Sequence, residues 1–355
     1  MSADQVTSQT TRPDVGKKMF RSGRLTSRDI AAAAGVSQAT VSNVLNKPHH
    51  VADETRERVH EVMRRMNFVL NDPARSLRVG SSRTLGVIAL DLTNPFWGEV
   101  TRGVSDAAVA RGYTVLLGSS GESRQGEDNL LRLFEQHRVD GVLVSSVAIA
   151  SPAIESLDNH GINVILLDEP DATGRHSSVS LDQVAGARLV AEHLLAQGHR
   201  RIGFINVPHD IWWSRQRLCG LRAAVEAVGE DPQEVISELI IPTMTAQAAE
   251  PAVSELLKGA PDLSAIACAN DMIALGVLKR LNDSGTRVPG DISVVGFDDS
   301  YFAGLLSPGL TTIRQQPYRL GRTAAELVID HDNAEPIKTV VFQPELVIRE
   351  STRPA

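Results

Sequence analysis

Cysteine is scarce: the 355 residues hold two, Cys219 and Cys268, each in an apolar pattern and neither at metal-ligand spacing. They read as buried free thiols, and a disulfide framework is not expected. No apolar run reaches the length of a membrane-spanning helix. The opening stretch, MSADQVTSQTTRPDVGKKMF, lacks the apolar core of a secretory signal, so the expected location is the cytoplasm. Catalytic signatures are missing as well. The ten histidines form no H-x-x-x-H pair beside acids, and no G-x-x-x-x-G-K-[ST] phosphate loop occurs. These absences argue against an enzyme, and no metal or cofactor is expected.

Positive charge is in deficit overall, at a net −7, but the deficit is uneven. Residues 1–83 carry 14 Lys and Arg against 8 Asp and Glu, a local +6 that leaves −13 on the remainder. A basic head on an acidic body suits phosphate contact at one end only.

That head contains LTSRDIAAAAGVSQATVSNVLN, residues 25–46, with the grammar of two short helices and a tight turn. Ile30, Ala31 and Ala34 set the first buried face, and Gly35 tolerates the left-handed turn conformation. Ser37 is placed to cap the second helix, whose buried face is Val36, Val41, Val44 and Leu45. Ser37, Gln38, Ala39, Ser42 and Asn43 fall away from Val41 and Val44, where a recognition helix meets base edges. The alternative is a helical hairpin in an ordinary core. A third helix opens at Ala52 or Asp53, with Val59, Val62, Met63 and Met66 on one face. Residues 71–83 follow, read either as a short helix begun by Pro73, with Ala74 and Leu77 sharing a face, or as a plain linker.

From Thr84 the pattern alternates. Apolar runs TLGVIALD, YTVLLGS, VDGVLVSS and NVILLD read as buried parallel strands, separated by amphipathic segments near 95–111, 125–137 and 152–160. A second series opens with a helix around 184–197. The strands RIGFIN, VISELII, AIACA and ISVVGF follow, with helices near 215–228, 247–258 and 271–284. The architecture expected is an all-α helix-turn-helix head and an α/β body of two doubly wound lobes. The boundaries are an arm at 1–23, the head at 24–70, the hinge at 71–83 and the body at 84–355. Its N-lobe takes about 84–180 and 314–342, and its C-lobe about 181–313 and 343–355. The late segments TTIRQQPYRLGRTAAELVID and TVVFQPELVIRE are expected to cross between lobes as a hinge of several strands. A ligand in such sheets sits at the strand carboxyl ends, here between the lobes.

Several stretches resemble, in order and spacing, the LacI/GalR family of bacterial transcription regulators. They are DIAAAAGVSQATVSNVLN, VADETRERVHEVMRRMNFVLNDPARSLR, LGVIALDLTNPFWGEV, HLLAQGHRRIGFI, AIACANDMIALGVL, DISVVGFDDS, LTTIRQ and ELVIREST. The resemblance covers nearly the whole chain from Leu25. It implies a homodimer on a pseudo-palindromic operator, with a body similar to periplasmic sugar-binding proteins. No tetramerisation helix follows Ala355, so a dimer is the expected assembly.

Within that resemblance, Gln38 and Ala39 match the base-discriminating positions: Gln can pair with adenine, and Ala can meet a thymine methyl. Asn43 stands where the family usually has arginine, which favours adenine over guanine there. Ser37, Thr40, Ser42 and Asn46 are expected to position the head through phosphates. Leu77 matches the hinge leucine that wedges into the minor groove, with Ala74 on the same face.

In the body, Asn94, Phe96 and Trp97 match a loop that faces the effector, although the two rings could instead close a helix onto the core. Asp168 could accept hydroxyl hydrogen bonds or cap a helix. Arg217 matches an arginine that reaches the effector, the alternative being an exposed helix arginine. Either Trp213 or Trp212 could line the pocket. Asn270 and Asp298 match effector contacts, whereas Asp271 and Asp299 could cap helices. Asp168, Arg217, Asn270 and Asp298 together suit neighbouring hydroxyls, so a sugar or polyol leads as effector, ahead of a purine. Three rivals remain at this point: an enzyme, a stand-alone sugar-binding module, and a regulator of the same family that senses a partner protein.

Overall fold

The computed structural model describes residues 25–68, 81–146, 151–171, 173–331 and 336–355. The arm at 1–23 and the hinge residues Ala74 and Leu77 lie outside the described residues. The chain divides into two compact units, residues 1–75 and 76–355.

The first unit is built on helices α1 (Ser27–Ala34), α2 (Gln38–Asn46) and α3 (Asp53–Arg65). Asp29 reaches back over the first turn of α1 to accept from the Thr26 backbone N–H at 2.8 Å. Gly35 ends α1 at φ +65°, a conformation that a Cβ would strain, and its N–H is bound by the carbonyls of Ala31 and Ala32. The Ser37 hydroxyl accepts the Thr40 N–H at 2.9 Å and so starts α2. Ile30, Val41 and Val59 meet, one from each helix and each fully buried, with Ala31, Ala34, Val44, Val62 and Met63 around them. A core this small makes each cap count. Ser37→Ala is expected to destabilise α2 by about 1 kcal/mol. Hydrogen exchange of the full chain should then quicken about fivefold across 37–46 and stay unchanged in the helix Asp271–Asp283 of the body.

The second unit opens with a six-stranded parallel sheet in the order β11-β5-β4-β3-β1-β2. Its strands are β1 (Thr84–Ala89), β2 (Thr114–Ser119), β3 (Gly141–Val144), β4 (Asn163–Leu167), β5 (Ser177–Leu181) and β11 (Thr339–Phe342). Helices α4 (Pro95–Ala110), α5 (Arg124–Gln136) and α6 (Pro152–Asn159) make the crossovers. A second parallel sheet has the order β7-β6-β8-β9, from β7 (Ile236–Ile240), β6 (Ile202–Asn206), β8 (Ala265–Cys268) and β9 (Ser293–Val295). It is served by α7 (Gln183–Ala196), α8 (Trp212–Ala227), α9 (Pro232–Val235), α10 (Ala246–Gly259) and α11 (Asp271–Asp283). The return run adds β10 (Thr312–Arg314), α12 (Pro317–Ile329) and β12 (Glu345–Val347). No helix among the described residues is long and apolar enough to cross a membrane.

The chain therefore passes between the two sheets three times, after β5, after β10 and after β11. The late segments do not form a hinge of several strands. β11 joins the first sheet beside β5, and only β10 and β12 pair antiparallel. α12 packs on α4 at backbone contact. A Cβ on Gly103 would lie 2.1 Å from the Tyr318 carbonyl oxygen, and one on Gly321 would lie 2.0 Å from that of Val100. Two glycines facing each other's helix let the axes approach closely, which fastens α12 to the first sheet.

Two further expectations need correction, at β2 and at Cys219, and one strand, Ser177–Leu181, has no counterpart in the sequence reading. Ser178 and Ser180 are buried, and their small side chains fit between flanking layers while the backbone ladder supplies the pairing. β2 is an edge strand with half-exposed residues, because the sheet order leaves nothing beyond it. Cys268 is buried as expected, but Cys219 lies on the solvent face of α8.

Candidate functional site

In the first unit, Ser37, Gln38, Ala39, Asn43 and Asn46 are exposed on α2 or at its cap, and Thr40 and Ser42 are half-buried. Gln38 stands at the first helical position, its amide 3.3 Å from the Ser27 hydroxyl. Asn46 donates to the Ser42 carbonyl at 2.8 Å, which closes the last turn. Gln38, Ala39 and Asn43 thus present one polar edge, opposite the buried Val41 and Val44. The helix N-terminus adds its partial positive charge at that end, which favours phosphate.

In the second unit, a narrow cavity lies between the two sheets. All eight residues that the resemblance singles out line it: Asn94, Phe96, Trp97, Asp168, Trp213, Arg217, Asn270 and Asp298. They come from strand ends and helix starts. Asn94 caps α4 by accepting the Phe96 N–H at 3.0 Å. Asn270 caps α11 by accepting from Ile273 at 2.8 Å. The cap falls to Asn270, not to Asp271, and neither Asp168 nor Asp299 caps a helix. Phe96 and Trp97 are both buried, edge to face with centroids 5.1 Å apart, so they pack on the core and line the cavity at once.

Two hydrogen-bonded chains span the cavity from one lobe to the other. In the first, Gln183 donates to Asp168 at 2.8 Å and accepts from Arg217 Nε at 2.9 Å, while Arg217 also donates to the Ala269 carbonyl. In the second, Asn94 donates to Asp298 Oδ2 at 3.4 Å, and Gln315 donates to Asp298 Oδ1. Gln183 follows the first passage between lobes and Gln315 lies in the second, so both amides sit where hinge motion must be absorbed. Neither glutamine stands out in the sequence. A lone Gln after a strand has no signature, and its role follows only from where the chain crosses.

Arg217 is 4% exposed and lies between two rings, its guanidinium carbon 4.4 Å from the Trp213 centroid and 3.7 Å from that of Phe297. Burial brings its pKa down to about 10, against the pull of Asp298 and Asp168. Asp168 (φ +62°) and Asp298 (φ +129°) both hold backbone conformations that non-glycine residues seldom adopt. Asp271 is fully buried and ties its segment to the neighbouring strand, accepting from Ser300 N–H at 2.7 Å and Thr312 Oγ1 at 2.6 Å. Burial raises the pKa of both Asp271 and Asp298, and Asp298 raises that of Asp271 further. Asp299 pairs with Arg314 at 2.7 Å and with Arg349 at 2.5 Å, away from the cavity.

Burial also pushes Asp168 up to about 7, against the nearby Arg217 charge. The folded state therefore keeps this proton where the unfolded chain has lost it. The contribution is fully present below the unfolded pKa near 3.8 and is lost as pH rises towards 7. From this side chain alone, the loss is on the order of 4 kcal/mol. Asp168→Asn is expected to flatten the dependence, gaining on the natural protein between pH 5 and pH 8 in urea unfolding. A difference independent of pH would contradict the assignment.

Two buried atoms at the cavity are left without partners, Asn270 Nδ2 and Gln315 Oε1. An unpaired buried donor and acceptor in one cavity wall are what a polar ligand satisfies.

Comparison with known proteins accounts for both units. Residues 26–71 match the model described as bacterial regulatory proteins, lacI family, and residues 191–352 match that of a periplasmic binding protein-like domain. The HTH-type transcriptional repressor PurR of Vibrio parahaemolyticus is 32% identical over 92% of this chain and 98% of its own length. The ribose operon repressor of Halalkalibacterium halodurans is 33% identical over 92% of this chain and 97% of its own length. The crystal structure of the lac repressor dimer bound to operator and the anti-inducer ONPF superposes with a TM-score of 0.81. That match has 27% identity and covers 93% of this chain and 100% of that one. With its helix-turn-helix head and two-lobed body, the chain belongs to the LacI family of DNA-binding bacterial transcription regulators.

Proposed function

We propose that this regulator is a cytoplasmic repressor, without enzymatic activity, that binds a pseudo-palindromic operator as a homodimer and is controlled by a sugar in the interlobe cavity. The observation that carries the reading is the pair of hydrogen-bonded chains across the cavity. Asp168 and Asn94 belong to one lobe, Arg217 and Asp298 to the other, and the crossing-segment glutamines hold them together. A ligand that takes over these groups changes the relative energy of open and closed lobes. That is the differential interaction any allosteric effector needs.

Sugar chemistry fits the lining. Carboxylates and amides that accept and donate in pairs suit adjacent hydroxyls, and Phe96 and Trp97 offer apolar faces to a ring. The two fixed rings around Arg217 are already occupied, so stacking falls to Phe96 and Trp97, not to Trp213. A purine remains the second reading, because Asn270 and Asp298 can equally pair with the edge of a base. On the head, Gln38, Ala39 and Asn43 are the proposed base-reading residues, with Ser37, Thr40, Ser42 and Asn46 at phosphates.

The test is selection from random duplex DNA with the full chain. A two-fold symmetric site should emerge, and Gln38→Ala should relax one base pair per half-site by about 1–3 kcal/mol while sparing the others. Recovery of asymmetric or unrelated sequences would overturn the operator reading.

A further inference from the structure

Beside the inner cavity lies a larger one, sharing Leu90, Asp168 and Trp213 with it. Its remaining polar lining is mostly acidic: Glu122 and Glu169 from the first lobe and Asp210 from the second, with Trp212 as an aromatic wall. Among the described residues the two cavities together are lined by five carboxylates and one guanidinium, Arg217. Arg217 is already committed to the inner chain, so the acids of the outer space have no cation among the cavity's described lining residues.

Three observations point to an occupant. Neither Glu169 nor Asp210 makes a hydrogen bond or ion pair with any described residue. Asp168, 5% exposed, gives only Oδ1 to Gln183, which leaves Oδ2 unpaired in the wall common to both cavities. Ser145, 3% exposed, lines the outer cavity, and its hydroxyl has no partner among the described residues. Glu169 is half-buried and Asp210 exposed, whereas Asp168 and Ser145 are buried residues that each turn an unpaired oxygen to the cavity, where a ligand's donor can reach it.

We propose that the outer cavity is a subsite for an ammonium-bearing group, so that the effector is an amino sugar or amine-bearing glycoside. The inference rests on the sugar-effector reading and narrows it. An ammonium has three donors and a positive charge, matching the Ser145 hydroxyl and the converging oxygens of Asp168, Glu169 and Asp210. Phosphorylated sugars and sugar acids are rejected by the same carboxylates, because like charges in a confined cavity repel strongly.

The charge state of the wall agrees. Burial pushes Glu169 up to about 7, and the charge of Asp168 pushes it the same way. Glu127 and Asp171 add to the rise, and Arg215, whose guanidinium donates to the His209 carbonyl, opposes it. Burial also raises Glu122, with Asp91 reinforcing it and the Met244 backbone N–H opposing it. A bound cation favours the ionised form of these carboxylates, so amine binding is expected to release protons from them.

The experiment uses the full chain and two-ring probes matched in shape. These are cellobiose, fully deacetylated chitobiose, its N,N′-diacetyl form and cellobionate, each tested by thermal shift and calorimetry. Deacetylated chitobiose is expected to bind at least about tenfold more tightly than its acetylated form, with cellobionate silent. Glu169→Gln should remove most of that preference and leave the binding of cellobiose unchanged. Equal binding of the amine and its acetyl form, binding of cellobionate, or no response to the amine would each overturn the subsite. If cellobiose binds and alters DNA affinity while the amine gains nothing, only the subsite falls. If no sugar of any kind binds, the sugar-effector reading falls with it.

Discussion

Arg217→Met is expected to yield a protein that holds its DNA site and no longer answers to any ligand of the cleft. The side chain donates to Gln183 and Ala269 and is, among the described residues, the one cation lining the cavity with Asp168 and Asp298. Removing one partner of a buried, hydrogen-bonded charge cluster costs about 2–5 kcal/mol in binding. Ligand affinity should therefore fall by about 30- to 5000-fold. The fold should survive better than that figure suggests. Asp168 and Asp298 already sit above the usual carboxylate range, so they take up protons instead of remaining as unpaired buried charges. Methionine also fills the slot between Trp213 and Phe297, which alanine would leave as a void. Calorimetry on the ligand and anisotropy on DNA separate the two outcomes. Retained ligand response would remove Arg217 from the site.

Gly321→Val is expected to be the most damaging single substitution in the body outside the cavity. Its Cβ would fall 2.0 Å from the Val100 carbonyl oxygen, a backbone atom that cannot rotate away. α12 must then lift from α4, and it also packs over β3, β4 and β5, so the displacement opens the face of the first sheet. Overpacking of this kind costs about 3 kcal/mol or more. For a unit of this size, that lowers the melting temperature by about 6–12 °C. Gly98→Ala, at a position on α4 where a Cβ meets nothing within 4 Å, should leave it within a degree or two. A mild Gly321→Val protein would mean the helices are further apart than described.

Much of this molecule is legible without coordinates, for identifiable reasons. The alternation of apolar runs with amphipathic segments places most strands and helices of the body, because parallel strands buried on both faces have no other reading. The turn at Gly35 and the cap at Ser37 are local chemistry and are likewise legible. Ser177–Leu181 carries no strand signal because three of its five residues are serine, and only the neighbouring strands place it in the sheet. Burial at β2 and exposure of Cys219 fail for the same reason: sheet order and helix facing are tertiary facts.

At the cleft, the strand-end residues Asp168, Asn270 and Asp298 are visible, since ligands gather at the carboxyl ends of parallel strands. Gln183 and Gln315 are not, because their part depends on where the chain passes between lobes. Nor does the sequence distinguish Asn270 from Asp271. Both stand at a helix start, and only the geometry assigns the cap to one and a buried tie to the other. Glu122, Glu169 and Asp210 are scattered along the chain as ordinary surface acids, and only the fold collects them into one cavity.

The measurement that bears most directly on the account is fluorescence anisotropy of the full chain on the DNA upstream of its own coding region. It should be repeated with a panel of sugars, amino sugars and purines and with the Arg217→Met protein. The expected result is saturable, salt-sensitive binding to one two-fold symmetric site. One compound should shift it by about 5- to 150-fold, and the shift should be absent in the variant. Equal affinity for random DNA, or a shift that survives the loss of Arg217, would contradict a regulator switched through this cleft.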